Sequence, residues 1–393
     1  MKKITKKILI ISPLVLIISF ISLILPSAIG LVSAQEIKMD ATDFTWQHPT
    51  PDTSKKTILI IADNKRTEIF DMMAPYYLFN RTGRANVYIV AEKKEPVSLW
   101  KGLFVLPHFS FKEIDSLHIK ADVIVLPNES IAIGKPQNPV VVKWIKDHYS
   151  TTTIVLSVCD GAATAAATGL YDGKPITTHS SDFDDMKKQY SRPLWVQQVS
   201  FTQSGNLFST AGVSNAVEGS LAVIKELFGE ETMQEVLTDI NYPSNDIKTE
   251  HQNNVVDGKS LSHGLLKVIL KKNNKIGVLL QNGMNELELA AVLDCYNRTF
   301  PSFVHTYTTN NKTVVSKYGL VLIPTGSNTE SIDELHIINP SSFTLSDPIL
   351  FKGTQLIPYD NKNAYILDRC LDRIKFLYGV PFQNFVKLTL DYN

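Results

Sequence analysis

The sequence predicts an α/β protein: a mainly parallel sheet covered by helices on both faces, then a truncated second copy of the same arrangement. Three observations carry this. Apolar runs without polar alternation recur at 57–62, 86–91, 122–127 and 153–158. Helical patterns at about 71–82, 140–149, 161–169 and 215–229 alternate with them. Strands of that kind, spaced by helices, belong to a sheet buried on both sides. Finally, segments of the second half of the chain parallel segments of the first.

At the start of the chain, Lys2, Lys3, Lys6 and Lys7 precede an uncharged apolar stretch from Ile8 to Val32, then Ser33 and Ala34. This is the layout of a signal peptide cleaved after Ala34. The stretch is also long enough to span a bilayer as an uncleaved anchor, although Pro13 and Pro26 interrupt it. Residues 1–34 therefore predict an exported chain, extracellular or held at the outer face of the cytoplasmic membrane through residues 8–32. Residues 35–55 read as a polar linker. The first α/β copy occupies 56–243, a connection 244–273 and the second copy 274–393.

At 393 residues the chain has room for two ordinary domains. It carries 39 basic and 39 acidic residues, with no Lys/Arg block beyond the first seven positions. That argues against nucleic-acid binding, which needs a concentrated basic surface. The histidines show no metal-ligand spacing and no glycine-rich phosphate loop occurs, so neither metal nor cofactor is expected.

Cys159 ends the fourth apolar run, where "VLSVCDGAATAAAT" turns from strand to an alanine-rich helix start. A sharp strand-to-helix turn of this kind exposes a nucleophile at the sheet's carboxyl edge. The facing helix N-terminus should favour the thiolate. Asp71, Asn128 and Glu129 also come just after strand ends, where sites of open α/β sheets assemble. Asp71 would serve equally well as a helix N-cap. Cys295 and Cys370 fall in helical patterns and read as core residues, a disulfide between them being left open by spacing.

The internal parallel is explicit. "KTILIIADNKRTEIFDMMAPYYLF" from Lys56 matches "NKIGVLLQNGMNELELAAVLDCY" from Asn274, "KADVIVLPN" from Lys120 matches "KYGLVLIPT" from Lys317, and "LAVIKELFG" from Leu221 matches "LDRIKFLYG" from Leu371. The shrinking offset implies that the second copy lost about 20 residues after its first helix and about 47 between Pro324 and Leu371. On that alignment the Cys159 strand, the elbow and the His179 segment are absent from copy two.

The series "SVCDGA" at 157–162, "GLYDGKPITTH" at 169–179, "FDMMAP" at 70–75, "VIVLP" at 123–127 and "STAGVSNAVEGSLAVI" at 209–224 resembles the ThiJ/PfpI family (the DJ-one superfamily). Within it, the likeness is to the branch forming N-terminal domains of AraC-type regulators. The resemblance implies the class I glutamine amidotransferase-like three-layer fold. It implies a small-molecule site with Cys159 as elbow cysteine, Asp71 as its acidic partner and His179 as the accompanying histidine. Oxyanion donors would be backbone N–H groups of Cys159 or Asp160 and of the loop at Asn128 and Glu129. That loop departs from the family's Pro-Gly-Gly. No His-x-Glu pair of a glutaminase lies downstream of the cysteine, and no basic helix-turn-helix lies beyond the domain. The resemblance implies a hydrolase or hydratase acting on an electrophilic carbon, or alternatively a ligand-binding or oxidation-sensing domain without turnover. Since relatives pair their domains, copy two is expected to dock on copy one as an intramolecular pseudo-dimer.

Overall fold

The computed structural model describes residues 44–393 except 48, 101, 130–135, 253–254, 328, 343–351 and 361–362. The predicted signal or anchor at 1–34 and the start of the linker lie outside the described residues. Among those described, no helix is long and apolar enough to cross a membrane.

The first sheet contains β1 (Lys56–Ala62), β2 (Ala85–Ala91), β3 (Phe109–Ser110), β4 (Val123–Leu126), β5 (Ile154–Ser157), β6 (Phe201–Ser204) and β7 (Leu207–Thr210). Their order is β6-β7-β5-β4-β1-β2-β3, parallel throughout except for the β6–β7 hairpin. Both faces are apolar because alternate residues point to opposite sides. Ile58 and Ile60 join one core with α1 (Ile69–Arg81) and α4 (Ala216–Phe228). Leu59 and Ile61 join the other with α2 (Pro139–His148) and α3 (Gly161–Thr168). A further helix, α5 (Glu230–Asp239), packs on α4.

The connection contains a helix absent from the expectation, α6 (Gly258–Leu270), capped by Asp257. The second half then forms β8 (Lys275–Leu279), α7 (Glu286–Asn297), β9 (Phe303–Tyr307), β10 (Glu334–Ile337), β11 (Gln355–Pro358), α8 (Ile366–Tyr378) and α9 (Val380–Leu390). Its sheet runs β9-β8-β10-β11, all parallel. That is the order and direction of β2-β1-β4-β5 in the first sheet.

This corrects the sequence alignment of the two halves. Val321–Pro324 is not a central parallel strand. It forms an antiparallel hairpin with Val314–Val315 and pairs across the halves with Leu103–Val105. Its sequence counterpart is thus "KGLFVLP" at 101–107, against "YGLVLIP" at 318–324. The strand beside β8 is "ELHI", whose polar residues hid it: Glu334 meets Arg373 and His336 bonds the Tyr359 hydroxyl. A strand does stand where β5 stands in the first sheet, namely β11. The two differ in the turn beyond the strand. By register Tyr359 matches Val158, each donating its N–H to the neighbouring strand, so Asp360 takes the place of Cys159. Asp360 does not adopt the positive φ of the cysteine.

The halves are joined closely. Helix α1 lies against α7. The Gly102 carbonyl accepts the hydroxyls of Thr306 and Thr325 at 2.5 and 2.9 Å. One apolar core contains residues from both halves, from Ile58 to Leu390.

Candidate active site

Cys159 sits one residue beyond the Val158–Leu126 backbone bond, with φ of +54°. A non-glycine residue there is strained, and surroundings must hold it. They do: its N–H donates to Thr210 Oγ1 at 3.3 Å and its carbonyl accepts from Thr178 Oγ1 at 3.2 Å. Gly161 lets α3 approach β4, since a Cβ there would stand 1.9 Å from the Leu126 oxygen. The predicted elbow is present, and the backbone N–H of Asp160 donates toward the sulfur.

The expected thiolate-favouring environment is not. Burial first, then Asp71, Asp160 and Glu68, push the Cys159 thiol well above its ordinary value, against the single Asp160 N–H. Desolvation and three carboxylates together outweigh one backbone hydrogen bond.

Asp71 is fully buried. Its Oδ2 accepts from the Asn128 N–H at 3.1 Å and its Oδ1 has no hydrogen-bond partner. No hydrogen bond joins it to the sulfur, so the anticipated direct pairing is not made. The Asn128 N–H is thereby occupied and is no free oxyanion donor. Nor is Asp71 the helix cap: Glu68 is, accepting from Asp71 N at 2.6 Å. Burial pushes Asp71 well above the ordinary carboxylate range, with the Glu68 charge adding to it.

Glu68 is the residue that sequence reasoning missed. It lines the cavity in front of Cys159, is 2% exposed, and leaves Oε1 without a hydrogen bond. Burial, then the Asp294 charge, raises it to about 8. Glu is an unusual N-cap, so the local sequence does not mark Glu68 as one. The repeat held a clue, because Asn285 caps α7 at the matching position. Glu129 also lines the cavity and is raised to about 8 by burial and then Asp63. Asp160, bonded by Thr178 Oγ1 at 2.8 Å, is raised to about 7 by burial and then Asp182.

These acids have folded values above their unfolded ones, so the fold favours their protonated forms. Their contribution is fully present below the unfolded value of 4.5 for Glu and is lost as pH rises toward 8. Stability should therefore fall from about pH 5 to pH 8, by up to about 1.4 kcal/mol per unit for each fully buried group. Urea unfolding across that range should show the decline, and Glu68→Gln should flatten it; an identical slope in the variant would refute the assignment.

His179 reaches the same cavity but does not bond Cys159. Its Nδ1 accepts from the Ser181 N–H at 3.1 Å, leaving Nε2–H to donate to the Thr389 carbonyl at 3.3 Å. Thr389 belongs to α9, so the second half touches the site. So does Arg298, just beyond α7. It chelates Asp294 through bonds of 3.1 and 3.0 Å and stands 3.9 Å from Glu68. The cavity measures about 360 Å³ and brings together Cys159, Asp160, Glu68, Asn128, Glu129 and His179. Cys295 and Cys370 are free thiols buried in the core of the second half, next to one another.

Residues 55–226 match the profile of the DJ-1/PfpI family. Among curated proteins, the chain is 27% identical to an isonitrile hydratase of Pseudomonas putida over 172 residues, 44% of this chain and 72% of that protein. It is 26% identical to protein dj-1beta of Drosophila melanogaster over 186 residues, 47% of this chain and 95% of the other. The crystal structure of Drosophila DJ-1beta aligns at 23% identity with a TM-score of 0.42, covering 47% of this chain and 96% of that one. A ThiJ/PfpI family protein from Pseudomonas syringae aligns at 20% and 0.42, covering 50% and 83%.

Proposed function

We propose that this protein, whose residues 55–226 match the profile of the DJ-1/PfpI family, is an exported hydratase or hydrolase whose Cys159 adds to an electrophilic carbon, such as a carbonyl or an isonitrile carbon. The observation that carries it is the sulfur held on a strained elbow, at a cavity walled by carboxyl groups that stay protonated near neutrality. Such acids supply protons, which suits a nucleophile that must lose one and a substrate that must gain one.

For an isonitrile the atoms balance simply. The sulfur bonds the terminal carbon and the thiol proton ends on that carbon, giving a thioimidate. Water then adds to the same carbon, the C–S bond breaks, and an N-substituted formamide leaves as the thiol is restored. Glu68, which lines the cavity, is the acid placed to relay these protons, and the buried Asp71 is a reserve. The relative named isonitrile hydratase supports this choice of substrate class.

Small aldehydes and isonitriles should be consumed by the protein and not by Cys159→Ala. The same cysteine should be alkylated ahead of Cys295 and Cys370, which line no described cavity, and its rate should still climb above about pH 9 because the thiol is raised. Peptide mapping after limited iodoacetamide treatment checks this; labelling of Cys295 or Cys370 first would overturn it.

A second reading is a ligand-binding or oxidation-sensing domain without turnover, akin to AraC-type sensor domains. The missing Asp71–Cys159 bond favours it. Alkylation of Cys159 without consumption of any substrate would select it.

We read residues 274–393 as an intramolecular pseudo-dimer partner that has kept the frame and lost the elbow. The shared core and the cross-half strand pairing support this. Separated fragments 56–243 and 274–393 should each be less stable than the joined chain; unchanged unfolding midpoints would count against it. Export is supported by Lys2, Lys3, Lys6, Lys7 and the apolar run Ile8–Val32. N-terminal sequencing of protein from the producing cell's exterior would decide between cleavage and anchoring.

A further inference from the structure

We propose that the second half supplies a tail pocket, so that the ligand of this site is an electrophile carrying one ring or a branched alkyl group of similar size. The inference rests on the reading that Cys159 is the reacting group. A second cavity, of about 160 Å³, shares Trp100, Arg298 and Thr389 with the cavity of Cys159. Its remaining wall is Asp294, Asn297, Phe300 and Phe385, all from the second half. An apolar cavity of about 150 Å³ in a protein interior takes up one benzene ring.

The aromatic wall is built rather than incidental. Phe300 has a φ of +52°, a strained conformation for a bulky residue. That conformation goes with a ring stacked on Phe385 at 5.6 Å and 26°. Lys267 Nζ donates to the Phe300 carbonyl at 3.3 Å and holds the strained turn. From behind, α6 presses close through Gly264, where a Cβ would come within 3.1 Å of Phe300 and 3.2 Å of Phe385. The charges on the wall cancel locally, since Asp294 is chelated by Arg298.

The site is thus divided. One compartment holds the thiol and protonated acids for the reacting carbon, and the other offers rings for an apolar substituent, the usual composition of a small-molecule pocket. It gives the second half a role in selecting ligands that needs no cysteine of its own.

Maleimides test this without requiring turnover. The sulfur bonds one alkene carbon, the proton goes to the other, and nothing is oxidised or reduced. The full-length chain is treated with N-methylmaleimide or N-phenylmaleimide. The rate at Cys159 is read by peptide mapping and divided by the rate of the same reagent with free cysteine. The normalised rate should favour the phenyl reagent by at least ~10-fold, well under what complete burial of five extra carbons would give. Asn297→Trp, which fills the cavity with an indole, should bring the ratio near one. Phe300→Ala should shift preference toward the N-naphthyl reagent. Calorimetry with unreactive N-phenylsuccinimide and N-methylsuccinimide reports the same pocket if Cys159 proves inert, an outcome that sinks the catalytic reading alone. A ratio near one in the native chain, or equal binding of the two succinimides, overturns the tail pocket.

Discussion

Asp391→Ala should destabilise the full chain by about 3–5 kcal/mol, because several buried donors lose their acceptor at about 1–3 kcal/mol each. Asp391 is close to the end of the sequence, yet its side chain is fully buried and accepts His251 Nε2 at 2.8 Å. It also accepts the Ser180 and Gly212 N–H groups, each at 3.1 Å, and the Ser180 hydroxyl. Removing it leaves two backbone donors and an imidazole without acceptors, and an unmade buried bond is costly. Gly212 exists for this contact: a Cβ there would lie 2.2 Å from that of Asp391 and 2.8 Å from the His179 ring. Burial alone would raise the Asp391 pKa; the bond from His251, the charges of His179 and His251 and the Ser180 N–H outweigh it and hold the value below 3.8. With a lowered folded pKa, the contribution is present above the unfolded value and lost as pH falls through the folded one. The variant's deficit should accordingly persist at neutral pH and shrink in strong acid. An unfolding midpoint equal to that of the native chain at pH 7 would refute this role. Asp391→Asn, which keeps shape and loses charge, should lie between the two.

Gly161→Ala should be comparably damaging for a purely steric reason. The new methyl would stand 1.9 Å from the Leu126 oxygen and 2.9 Å from the Pro127 oxygen, both backbone atoms that cannot swing aside. Helix α3 would have to leave β4, at about 3 kcal/mol or more, the upper part of the range for overpacking. Since Cys159 lies just before it on the same turn, its alkylation rate should change with stability. The expected result is a lower urea midpoint together with altered Cys159 labelling. A variant that keeps both values would show that the elbow tolerates a side chain.

The parts of this protein legible in sequence are those set by neighbouring residues. Strand and helix periodicity placed β1, β2, β4, β5, α1, α2, α3 and α4 to within about a residue or two, because burial of both sheet faces leaves apolar runs no other solution. The Cys159 elbow was legible for the same reason: a strand must end and a helix begin with small residues between them. The strand "ELHI" was not, because its Glu and His are neutralised by Arg373 and Tyr359 from distant segments, and only folding reveals that such polar residues can be buried. The chemistry of the site depends on the same kind of distant neighbour. Whether Cys159 is lowered or raised is decided by Glu68, Asp71 and Asp160 around it together with burial, so a helix N-terminus read alone pointed the wrong way. Arg298, Phe300, Thr389 and Asp391 reach the site or its surroundings from far along the chain. No local pattern encodes those contacts; the packing of α7 and α9 against the first half brings them there.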